Sequence, residues 1–169
     1  MNGRNRMGMG MICLSAILFS ACAARSPNLY SVLWVQTAAE YRAEALETYT
    51  AAISQLDDAL ADSSWTAALE QTGDYSDLPP AVVLDIDETV LDNAPFQGQF
   101  VLDAAPFDPV QWDRWVAREQ AEALPGALDF VREAVRRNIA VFYVTNRTCP
   151  DPVAACPQET HTLRNRERL

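Results

Sequence analysis

The stretch Val82-Val83-Leu84-Asp85-Ile86-Asp87-Glu88-Thr89-Val90-Leu91-Asp92-Asn93 (VVLDIDETVLDN) decides how this chain is read. Ala81 to Leu84 is short, partly β-branched and uninterrupted by polar residues, as expected of a strand buried in a parallel sheet. It ends in a crowd of carboxylates. Like charges gathered at one point cost free energy unless something positive sits among them. If the strand stops at Asp85 and the chain turns, Asp85 and Asp87 face one pocket while Ile86 packs away. Two hard oxygen ligands call for Mg²⁺ or Ca²⁺ in preference to zinc, and Mg²⁺ leaves room for a substrate phosphate. The competing reading is a solvated turn or helix cap. The apolar run before Asp85, where solvent is scarce, argues against it.

Working outward, Pro109 to about Ala123 is expected to be a helix with Trp112, Trp115 and Val116 on one face, broken by Pro125-Gly126. A helix over about 127–137 turns Leu128, Val131 and Val135 inward. Ile139 to Val144 is a second buried strand, ending in Thr145-Asn146-Arg147. Strand, helix, strand implies a crossover and a parallel sheet of α/β, Rossmann-like type. Ligands bind at the carboxyl ends of such strands, where both polar clusters fall. Upstream, Leu29 to Ala61 repeats its apolar residues at three- and four-residue steps and predicts one long helix or two in succession. A short helix is expected over Ser64–Glu70, a turn-rich linker over Gly73–Pro80, and a loop from Asn93 to Asp108.

The chain's 169 residues carry a formal net charge of −10, and every basic residue is Arg or the single His, with no Lys. Phosphate contacts along a polymer need clustered cations, so the charge balance argues against a nucleic-acid partner. Arg4 and Arg6 precede a short apolar run, Met7 to Phe19, and then Leu18-Phe19-Ser20-Ala21-Cys22. The segment is too short and wrongly flanked to span a membrane and fits a secretory signal over 1–22. Its end resembles a bacterial lipoprotein box, with Cys22 lipidated; cleavage after Ala21 with Cys22 a bystander is the alternative. Residues 23–28 form a tether of about 20 Å at most, which would hold a domain over 29–169 near the bilayer. Within it, 29–72 reads as helical and 81–169 as the α/β core. In an oxidising compartment Cys149 and Cys156 suggest a disulfide; free thiols, or a zinc site with His161, are the other readings.

Asp85-Ile86-Asp87-Glu88-Thr89-Val90-Leu91-Asp92-Asn93 resembles the first motif of the haloacid dehalogenase superfamily, and Val141-Phe142-Tyr143-Val144-Thr145-Asn146-Arg147 resembles its second. The wording is similar to one branch, the bacterial class C (subfamily IIIB) acid phosphatases, often outer-membrane lipoproteins. The resemblance implies that fold, with N-terminal helices and a small helical insertion, and Mg²⁺-dependent hydrolysis of phosphomonoesters, including nucleoside 5′-monophosphates, through an aspartyl phosphate. It implies Asp85 as nucleophile and metal ligand. Asp87 would be acid/base and metal ligand, its backbone carbonyl included. Thr145, Asn146 and Arg147 would serve at the phosphoryl pocket. Phe96 and Trp34 would be candidates to stack a base, with packing the favoured role for either one. The place implied is the bacterial cell envelope, through a lipid anchor. The family's third and fourth motifs supply a Lys and a further metal-binding Asp. Neither is found after Arg147, so the stretch reads as the N-terminal part of the domain, incomplete at its C-terminus. The alternative function is a truncated, non-catalytic surface lipoprotein that keeps the pocket. A dinucleotide oxidoreductase is disfavoured, because no Gly-rich turn follows the first strand.

Overall fold

A computed structural model describes residues 26–150 and 156–169. The expected signal segment, Cys22 and the first part of the expected tether lie outside them. Two helices come first, α1 (Leu29–Thr37) and α2 (Ala39–Ala61), separated by Ala38 in an extended conformation (φ −76°, ψ 125°). The expected helix over Ser64–Glu70 is not formed; the segment is a run of turns. Asp62 Oδ1 accepts the Ser64 backbone N–H at 2.9 Å and Thr66 Oγ1 accepts that of Ala68 at 3.1 Å. Such local bonds compete with a helical ladder.

Strand β1 (Ala81–Leu84) pairs in parallel with β4 (Ala140–Tyr143), in register from Ala81 opposite Ala140 to Leu84 opposite Tyr143. The chain between them supplies β2 (Leu91–Asp92), α3 (Ala94–Asp103), α4 (Pro109–Arg118), β3 (Glu122–Ala123) and α5 (Ala127–Arg136). Helix α6 (Pro157–Glu167) follows β4. Alternation along the strands sends Val82, Leu84 and Val141 to one face, where Tyr49, Leu56, Phe130, Ala134 and Ile139 from α2, α5 and the turn after it form the core. Each large apolar side chain fully buried there contributes about 1.5–3 kcal/mol. Val83 and Phe142 point to the other face and are exposed. Among the described residues no helix is long and apolar enough to cross a membrane.

The segment expected as a loop from Asn93 contains α3. Pro95 sits in its first turn, where a missing N–H costs nothing, and Asp92 Oδ1 accepts the Ala94 N–H at 2.8 Å. Phe96 and Phe100, four apart, are both buried, and Gly98 lets α1 approach, with Gln36 and Val32 against it. The next helix is shorter than expected. Asp108 accepts the Val110 N–H and starts α4, which ends where Glu119 takes a left-handed conformation (φ 54°). The chain then pairs β3 antiparallel with β2. Gly126, at φ +88°, opens α5 against Tyr49.

Candidate active site

After β1 the backbone winds one turn. The Ile86 carbonyl accepts the N–H groups of Val90 and Leu91, both at 2.9 Å, and Glu88 N–H returns to the Leu91 carbonyl at 2.9 Å. Ile86, Val90 and Leu91 are buried beneath this turn with Ala121, so the carboxylates are left on the outside of it. Glu88 adopts φ 55°, and Tyr49 Oη donates to the Thr89 carbonyl at 2.5 Å, tying the turn to α2. Val144 N–H bonds the Leu84 carbonyl at 2.9 Å, which brings the ends of β1 and β4 side by side. Asp85 and Thr145 follow those two residues directly.

Asp85 is exposed, and among the described residues no hydrogen bond or ion pair reaches its carboxylate. Asp87 is held from several directions. Arg147 Nε lies 3.2 and 3.1 Å from its two oxygens and Arg147 Nη2 lies 2.7 Å from Oδ1. Asn93 Nδ2 donates to the same Oδ1 at 2.9 Å, and Thr145 Oγ1 reaches Oδ2 only at 3.5 Å, the outer limit of a hydrogen bond. The Arg147 side chain is 4% exposed and that of Asp87 23%, so the pair is screened far less than a surface ion pair. The remaining guanidinium nitrogen donates to Thr162 at 2.7 Å, and the cation sits 5.3 Å from the Trp112 ring centre.

Sequence reasoning placed Asp85, Asp87, Thr145, Asn146 and Arg147 at one pocket. The structure brings Asp87, Thr145 and Arg147 into contact, with Asp85 at the adjoining strand end. Asn146 is exposed and its side chain makes no hydrogen bond among the described residues. Arg147 spends its donors on Asp87 and Thr162, as a brace. Missed were Asn93, fully buried, and Trp115, whose Nε1 donates to Asn93 Oδ1 at 2.8 Å. Asn93 thus accepts a hydrogen bond on one side and donates one to Asp87 on the other. Gln158 and Thr162 also went unnoticed. Phe96 belongs to the packing: it is buried and meets Phe100 edge-on at 4.8 Å and Trp112 at 5.1 Å. Trp34 stays partly exposed on α1.

The pocket's field is negative outside the Arg147 brace. Glu88 is held above the ordinary carboxylate range, first by loss of solvation and then by the charge of Asp87. The residue as a whole is exposed; its carboxyl end turns inward to accept the Asn93 backbone N–H at 3.2 Å, and there water is displaced. Tyr41 on α2 is also pushed up, chiefly by burial and then by Asp92 and Glu88. Among the described residues no three His, Cys, Asp or Glu side chains converge to cage a metal. What is present is the open carboxylate of Asp85, with the Asp87 backbone carbonyl two residues further along the chain. That oxygen set fits Mg²⁺, which needs one or two carboxylates and keeps its waters, and does not fit zinc.

Residues 12–156 match the family model described as HAD superfamily, subfamily IIIB (acid phosphatase). The chain belongs to that family. It is similar to the class C acid phosphatase from Bacillus anthracis, at 35% identity and a TM-score of 0.68, with 85% of this chain and 52% of that one covered. The tungstate-bound form of the Bacillus anthracis class C enzyme gives 34% identity and a TM-score of 0.70, with 86% and 53% covered. Acid phosphatase 1 of Solanum lycopersicum is 33% identical over 66 residues, 39% of this chain and 26% of that protein. The chain therefore spans about half the length of these solved relatives.

Proposed function

We propose that this site hydrolyses phosphomonoesters, nucleoside 5′-monophosphates among them, with Asp85 as nucleophile and Asp87 as acid and base. One observation carries the reading: two carboxylates one residue apart are given opposite environments, Asp85 open and without a partner among the described residues, Asp87 fixed by Arg147 and Asn93. A nucleophile has to be accessible, and a proton carrier has to be positioned. An Asp85 oxygen attacks phosphorus, and the bond from phosphorus to the leaving alcohol breaks. Asp87 gives that oxygen its proton. Asp87 then takes a proton from water, the water oxygen bonds to phosphorus, and the Asp85–phosphorus linkage breaks to release inorganic phosphate. Thr145, 3.5 Å from Asp87 and accepting the Arg147 backbone N–H at 3.2 Å, is the neutral donor for a phosphoryl oxygen.

Asp85 and the Asp87 backbone carbonyl would hold Mg²⁺, which when bound offsets charge on the phosphoryl oxygens. The tungstate-bound relative supports an oxyanion pocket, since tungstate is a tetrahedral oxyanion like phosphate. Phosphate release from p-nitrophenyl phosphate, with and without EDTA, tests the reading. Asp85→Asn is expected to lower kcat at least a thousandfold; activity that survives it refutes the nucleophile. The N-terminal segment supports export to the cell envelope and lipidation at Cys22. Palmitate labelling that persists in Cys22→Ser would refute the anchor.

A further inference from the structure

Helix α6 buries polar residues where a packed helix ordinarily buries apolar ones. Gln158, Thr162 and Asn165 stand at i, i+4 and i+7, one stripe of the helix, and are 6%, 7% and 4% exposed. Among the described residues no buried side-chain donor or acceptor lacks a partner. Asn165 exchanges two bonds with the Ala121 backbone, at 3.0 and 2.7 Å. Gln158 accepts the Thr148 N–H at 3.1 Å and donates to Thr148 Oγ1 at 2.8 Å and Asp113 Oδ1 at 2.6 Å. Thr162 accepts from Arg147 Nη1 at 2.7 Å and donates to the Gln158 carbonyl at 2.6 Å. Two of the three residues therefore grip the loop that carries Arg147. At the start of the helix, Cys156 meets Cys149, two residues beyond Arg147, with their Cα atoms 4.8 Å apart. That separation is within the range a disulfide bridges.

We infer that α6 is a positioning clamp: Thr162 and Gln158 hold Arg147, through it they hold Asp87, and a Cys149–Cys156 disulfide closes the clamp. A guanidinium is a planar fork, so a third nitrogen fixed on Thr162 sets the plane in which the other two meet Asp87. A dithiol opens the clamp: the S–S bond takes two electrons and two protons to become two thiols, and the dithiol becomes a cyclic disulfide. The inference rests on the phosphatase reading for its kinetic arm only. Its other arm is Trp112 emission, which reports the cation lying over that ring.

The test uses the full chain with p-nitrophenyl phosphate. Thr162→Val is expected to lower kcat at least tenfold with KM unchanged within twofold, and Thr162→Ser to restore it. Dithiothreitol should expose two additional thiols, lower kcat about fivefold and be reversed by reoxidation; the Cys149→Ser/Cys156→Ser chain should not respond. Both treatments should shift emission, and the shift should vanish in Trp112→Phe. Reduction that exposes the two thiols yet changes neither kcat nor emission overturns the clamp, as does Thr162→Val with both unchanged. If Thr162→Val fails to fold, the reduction arm on the wild-type chain decides. A chain inactive in every form refutes the phosphatase reading, and emission still decides the clamp.

Discussion

Replacing Arg147 by Met keeps most of the side chain's bulk and removes its charge. The Arg147 side chain is 4% exposed and delivers three donor contacts to the Asp87 side chain, itself 23% exposed. Removing one partner of a buried ion pair costs about 3–5 kcal/mol, because the other charge is left without compensation. Asp87 keeps some solvent and the Asn93 amide, so the loss falls just below that range, at about 2–3 kcal/mol. With a urea m-value of about 1–3 kcal/mol/M, the unfolding midpoint should fall by roughly 0.7–3 M. Arg147→Met also takes a donor from Thr162 and a cation from Trp112, so the single variant overstates the pair. A double-mutant cycle with Asp87→Asn cancels those losses and should return a coupling of about 2 kcal/mol. A coupling below about 0.5 kcal/mol, the level of independent sites, would refute Arg147 as the brace of Asp87.

Two further outcomes follow from single contacts. Glu88 titrates above its ordinary 4.5 in the folded chain, so its protonated form is favoured by folding; that stability is complete below 4.5 and is lost as pH rises through the folded pKa. Glu88→Gln should therefore be more stable than wild type at about pH 7, with the gap closing by about pH 4 in urea melts; a variant less stable at neutral pH contradicts the assignment. At Gly126, φ is +88° and an added Cβ would lie 2.8 Å from Tyr49 Cβ. Gly126→Ala should cost about 2–4 kcal/mol from backbone strain and overpacking together. Tyr49→Ala keeps the Cβ at 2.8 Å and removes only the ring atoms at 3.3 Å, so it should rescue little; an unchanged melting temperature in Gly126→Ala would refute the close approach.

The strand pair and the placing of Asp85, Asp87, Thr145 and Arg147 at one sheet edge were legible because apolar runs ending in polar clusters are local patterns. Helix α3 was not, because Pro95 and Gly98 read as breakers. The first is harmless in an opening turn, and the second is a contact with α1 that exists only after folding. The antiparallel pair β2–β3 is two residues on each side, too short to leave a period. Asn93 stands in the first motif and Trp115 on the face of the expected helix, yet their hydrogen bond joins positions 22 apart in sequence and no spacing rule announces it. Gln158, Thr162 and Asn165 failed to register because buried stripes are sought among apolar residues, and here burial is compensated bond by bond.

That last stripe limits how the protein can be re-engineered. Automated stabilisation that enriches interiors in leucine would choose Gln158, Thr162 and Asn165 first. It would strand the Thr148 amide, the Ala121 backbone and one arm of a guanidinium in the process. Chimeras with relatives meet the same constraint: a crossover between the Thr145–Thr148 loop and Asn165 mixes halves of a lock cut for each other, so that whole span has to be inherited from one parent.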